Sequence, residues 1–217
     1  MTAALTKDLE KLINDASDKG ILMFCSVEDT GVATDTTYPG SLYPEKVFRI
    51  GAANPEGRPS RWTNDQCNYI FPGDKVRQEY WRYTGGSLAA HAQTIPALSG
   101  ASIATALATG LAGVILNCAL LSAIYVHTTL NSIRPTQPEA IEAARFRGIH
   151  DFEALRKTKN KMDYAFQQIG LAGEFVKVWE RFEAAAADIE KAGAIGDTAE
   201  QMKVVCRLVQ AITEPYA

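Results

Sequence analysis

Apolar and polar positions alternate along the first third of the chain in a way that separates helix from strand. Leu5, Leu9, Leu12, Ile13 and Ala16 recur at helical spacing, and Gly20 follows as a stop. Ile21 to Ser26 (ILMFCS) is apolar on both faces, the pattern of an inner strand of a parallel sheet. Val27 to Pro44 is crowded with Asp, Thr, Gly and Pro and reads as a loop. It leads to a second strand at Lys46–Ala53 (KVFRIGAA). A third, Asn68–Gly73 (NYIFPG), is closed by its own Pro and Gly. Helix and strand in alternation predict an α/β layer structure.

The middle of the chain has a different texture. From Tyr83 to Ile133 there is no Asp, Glu, Lys or Arg, so most of this stretch requires cover. Ile95 to Val126 exceeds the roughly 20 apolar residues that span a bilayer. Its richness in Gly, Ala, Ser and Thr, its loop-like SGAS opening and the lack of a Lys or Arg cluster at either end favour a buried helix instead.

Beyond Arg134 the pattern becomes helical with charged faces. Pro138 opens a helix over 139–148 that Gly148 closes, and a longer one runs from Asp151 to Gly170. The next, Leu171 to Gly193, places Phe175, Val178, Trp179 and Phe182 on one face. The last, Thr198 to Ile212, does the same with Met202, Val205, Cys206 and Val209. These stripes are packing surfaces. With no internal repeat or low-complexity linker, the reading is an α/β part over 1–133 and a helical tail over 134–217 that docks on it.

Composition narrows the function. The 217 residues carry 22 Lys+Arg against 25 Asp+Glu, a net charge of -3, which leaves no excess of positive charge for phosphates. At 47% hydrophobic the chain is an ordinary folded one. Cys25, Cys67, Cys118 and Cys206 are widely spaced, no CxxC or HExxH occurs, and the opening MTAALTKDLEKL has charges where a signal peptide needs an apolar core. The expectation is a cytoplasmic protein with reduced thiols and no metal. The absence of GxxxxGK[ST] and of an acidic ligand cluster extends that to no cofactor.

One motif stands out: Ser99-Gly100-Ala101-Ser102-Ile103-Ala104-Thr105-Ala106 runs straight into the apolar helix. A serine at a helix start sits by the positive end of the helix dipole, a favourable place for a nucleophile, although serine is equally a common cap. The order of the surrounding blocks adds to this. GILMFCSVEDTG (20–31), YPGSLYPEKVFRIGAA (38–53), IFPGDKV (70–76) and SGASIATALATGLAGVIL (99–116) together resemble the C-terminal half of a subtilisin-like serine protease domain (peptidase S8). The resemblance covers roughly Leu5 to Leu121. The ATALATGLA form is most similar to intracellular subtilisin-like domains of large fungal multidomain proteins.

That resemblance implies a partial subtilisin-like parallel sheet with a central buried helix, and serine endopeptidase activity with Ser102 as nucleophile, its proton removed by a histidine. It places Asp29 at the oxyanion-hole position, where the family usually has Asn. In subtilisin, removal of that amide costs about 2.7–4 kcal/mol, and an ionised Asp would repel the charge that the amide stabilises. Ala101 stands for the usual Thr, and Glu28 for the usual Gly near the specificity pocket.

The largest departure is an absence. The family's chain order is Asp, His, Ser, so the remaining triad members belong upstream of Ser26, where Met1 to Gly20 offers no histidine. His91, His127 and His150 fall in the wrong segments. A missing first half would also leave a sheet edge and apolar surface uncovered, for the tail, a second copy or another polypeptide to close. The expected function is therefore a serine endopeptidase fragment, acting on peptide or protein substrates only if completed by an upstream half-domain. The alternative is an inactive pseudoprotease or protein-interaction module. No nucleic-acid or membrane partner is expected.

Overall fold

A computed structural model describes residues 3–31, 38–76, 97–170 and 175–214. His91, and the part of the uncharged stretch before residue 97, lie outside the described residues. The first helix, α1 (Ala3–Asp18), ends at Gly20, whose φ of 72° reverses the chain. A side chain there would also meet the backbone of Arg156 and Lys157 at 3.1 Å, so the turn needs glycine on two counts.

Three short strands follow, β1 (Met23–Ser26), β2 (Val47–Ala53) and β3 (Tyr69–Pro72). They pair in parallel in the order β1-β2-β3, with Met23 opposite Val47 and Ile50 opposite Tyr69. Each strand begins one or two residues later than its apolar run, because the flanking residues are spent in the turns. β2 is buried on both faces and reads as an inner strand, whereas β1 is half-buried. Among the described residues β1 pairs on one side only. The opposite edge, at β3, is extended by the tail: Phe175 bridges in parallel to Ile70, and the Val176 N–H donates to the Ile70 carbonyl at 3.2 Å.

The long helix α2 (Ala101–Ser132) lies over the sheet. Its packed face is built from Ala101, Ala104, Ala108, Leu111, Ala112, Ile115, Ala119, Ser122 and Ala123, and the alanines let the helix axis approach the strands closely. Over the same face of the sheet Phe24 stacks on Phe48 at 4.9 Å between centroids, and Phe166 meets Phe24, Phe48, Tyr69 and Phe71 within 6.3 Å. Burial of Phe48, Tyr69, Phe71, Phe166 and Ile115 is complete or nearly so, and they form one core with Leu155, Met162, Val209 and Ile212 from the helical tail.

That tail comprises α3 (Pro138–Ala143), α4 (Ile149–Lys157), α5 (Lys159–Gln167), α6 (Val178–Ala194) and α7 (Thr198–Thr213). The single helix expected over 151–170 is two. Thr158 is extended at φ -138°, ψ 136°, and its carbonyl restarts the ladder by accepting from Lys161 and Met162. The break allows α5 to turn Phe166 onto the sheet, where the buried Tyr69 hydroxyl donates to the Asp163 carboxylate at 2.9 Å. The helix expected over 171–193 starts only at Val178, because Phe175 and Val176 are committed to the β3 edge. The whole is an α/β arrangement of parallel sheet, central helix and helical tail.

Candidate active site at the head of α2

In a parallel sheet the crevice beyond the strand C-termini is where loops converge on helix N-termini. Here Asp29 follows β1 by three residues, Gly73 follows β3 directly, and α2 begins at Ala101. The chain before α2 is held to the end of β3 by several bonds. The Gly100 N–H donates to the Gly73 carbonyl at 2.7 Å, and Val76 and Leu98 exchange backbone hydrogen bonds at 2.9 Å. The Ser99 hydroxyl donates to the Asp74 carboxylate and accepts from the Lys75 N–H, both at 2.9 Å. A Cβ on Gly73 would fall 2.6 Å from the Ala52 Cβ, so this clamp tolerates no side chain there.

The N-terminus of α2 has no capping side chain of its own, since Gly100 precedes it at φ 145°. The cap comes from the far side of the crevice. Both oxygens of the Asp29 carboxylate accept the Ala101 N–H, at 2.9 and 3.2 Å. Ser102 is the next residue. A Cβ placed on Gly100 would lie 3.3 Å from an Asp29 oxygen and 3.4 Å from the Ser102 hydroxyl, so the two candidate site residues flank the same point in space. Ser102 and Asp29 are both exposed. Among the described residues no hydrogen-bond partner is assigned to the Ser102 hydroxyl.

Electrostatically this head of α2 is a filled anion site. The helix N-terminus carries partial positive charge on amides that lack intrahelical acceptors, and a carboxylate is the group that such a site takes. Asp29 supplies it from within, so the Ala101 amide has no capacity left for a developing oxyanion, and negative charge already stands beside it. No described histidine is near: His127 is on α2 itself, 25 residues from Ser102 and about 37 Å along the axis. His150 lies by the far half of the same helix, where Gly148 packs against Val126 and Ala123. Burial pushes the thiols of Cys67, Cys118 and Cys206 up, so little of each is thiolate at neutral pH.

Sequence reasoning brings Asp29 and Ser102 to one place but not the bond from Ala101 to Asp29, nor the Ser99, Asp74 and Lys75 clamp. The usable signal was the helix start itself: a glycine at the capping position of an uncharged helix leaves its first amides to be satisfied from elsewhere.

No family model matches the chain, and no curated protein matches it. Several solved structures are similar in part, two of them as follows. One is the self-cleaved protease domain of PatA, at 24% identity and a TM-score of 0.39 over 50% of this chain. The other is the PatG macrocyclase domain, at 21% identity and a TM-score of 0.40 over 61% of this chain. The chain spans 38% and 40% of their respective lengths.

Proposed function

We propose that this chain carries the nucleophile-bearing half of a subtilisin-like serine peptidase domain and that it serves as a binding module, with Ser102 not activated for proteolysis. The observation that carries the reading is the Asp29 carboxylate on the Ala101 amide, one residue from the Ser102 hydroxyl. A helix head that stabilises an acyl-transfer intermediate presents donors; here the Ala101 amide is spent on an internal acceptor. Ser102 also lacks a described general base, and a serine hydroxyl without one is a poor nucleophile at neutral pH.

The experiment is exposure of the full chain to a fluorophosphonate at neutral pH, read by intact mass. The expected result is no adduct on Ser102 above the level of Ser102→Ala. A stoichiometric adduct on Ser102 overturns the reading. It would instead favour the endopeptidase, for which the exposure of Ser102 at the head of the helix is the supporting observation.

A further inference from the structure

The outer face of α2 is unlike the surface around it. At steps of three or four residues it presents Ala106, Gly110, Gly113, Asn117, Leu121, Ile124 and Thr128, all of them exposed. At about 100° per residue these positions form one line, opposite the packed alanines. Leu107, Val114 and Leu120 flank it, also exposed, and no charged residue falls anywhere along the helix. A contiguous apolar ribbon of this kind on a soluble surface marks a docking site.

The ribbon is uneven in a way that identifies its partner. Its N-terminal half is low: among the described residues nothing lies within 4 Å of a Cβ built on Gly110 or Gly113. Its C-terminal half is raised by Leu120, Leu121 and Ile124. A helix that is hollow at one end and ridged at the other is complementary to itself when turned end for end. With a two-fold axis at Asn117, Ile124 of one copy meets Gly110 of the other, Leu121 meets Gly113, and Thr128 meets Ala106. Asn117 then faces its own counterpart, so each carboxamide N–H can donate to the other's carbonyl. That exchange satisfies the one strongly polar group in the middle of the ribbon and fixes the register, as a lone Asn does in a coiled coil.

We infer that the α2 outer face is a homodimer interface, in which a second copy of this chain packs antiparallel across Gly110 and Gly113. A specific dimer at the low end takes about 600 Å² from each copy, and the ribbon from Ala106 to Thr128 offers it a face about 33 Å long. A groove of about 420 Å³ lined by Leu120, Ile124, His127, Leu130, Arg147 and Ile149 borders the ridge. The inference deepens the binding-module reading by naming the partner, and its test is independent of Ser102 reactivity.

The test is the mass of the full chain in solution, by sedimentation at about 10–100 μM, with two variants. The wild type is expected to sediment at twice 23.6 kDa. Gly113→Leu fills the hollow and is expected to weaken the dimer at least 100-fold while the fold melts no lower, since the position opens to solvent and leucine is the better helix former. Asn117→Cys is expected to form a 117-to-117 disulfide under mild oxidation. Ile141→Cys, exposed on α3 and off the axis, is expected to form none. A monomeric wild type, a dimer indifferent to Gly113→Leu, or Asn117→Cys chains that never cross-link each overturn the inference. Co-flotation of the monomer with phosphatidylcholine vesicles would do so too, by assigning the ribbon to lipid.

Discussion

The carboxylate of Asp29 accepts the amide of Ala101 at 2.9 Å across 72 positions of sequence, and through that bond the loop after the first strand closes the head of the central helix. The same bond sets the chemistry of the crevice: the Ala101 amide is occupied, and a carboxylate oxygen and the Ser102 hydroxyl flank the same point beside Gly100.

Asp29→Ala is expected to destabilise the fold by about 1 kcal/mol, the scale of a lost cap and of a charge at a helix N-terminus. Asp29→Asn should lose less, because its side-chain oxygen can still accept while the charge is gone. Urea unfolding checks both, and the loss should shrink as salt is added because the site is exposed.

Gly100→Ala tests the geometry from the other side. At φ 145° an alanine is strained, and its Cβ would press on Asp29 and Ser102 at 3.3 and 3.4 Å. A loss of about 1–3 kcal/mol is expected, visible as a lowered denaturation midpoint.

Phe166→Ala removes the ring at which four aromatic side chains of the sheet converge, in a fully buried position. The expected cost is about 3–5 kcal/mol, enough to leave much of the chain unfolded at 37 °C by thermal melting.

Asp151 gives a dependence on pH. Burial pushes its carboxyl above the ordinary 3.8, aided by Glu214, while Arg147, Thr213 and His150 pull it back. The native state therefore holds this proton more tightly than the unfolded one, and stability falls as pH rises from 3.8 through the raised native value. Asp151→Asn should melt higher than the wild type at pH 7 and show no such gain at pH 3.

The three strands and the central helix were legible because apolar runs bounded by Gly and Pro leave few alternatives: Ile21–Ser26, Lys46–Ala53 and Asn68–Gly73 contain the observed strands. The order of four sequence blocks names Asp29 and Ser102 as candidates, and the structure sets both beside Gly100. The bond from the Ala101 amide to Asp29 was not legible, because a loop carboxylate that caps a helix 72 positions away leaves no local pattern. The break at Thr158 was hidden for a related reason: Leu155, Met162 and Phe166 keep helical spacing across it, and only docking on the sheet decides that two helices fit where one is written. Phe175 likewise reads as part of the stripe with Val178 and Trp179, but the open edge of β3 claims it for a bridge.

The central claim, that Asp29 fills the anion site at the head of α2, is tested most directly by hydrogen exchange at the Ala101 amide. The account predicts that this amide exchanges about fivefold faster in Asp29→Ala than in the wild type, with amides inside α2 little changed. Equal exchange of the Ala101 amide in the two proteins would contradict it.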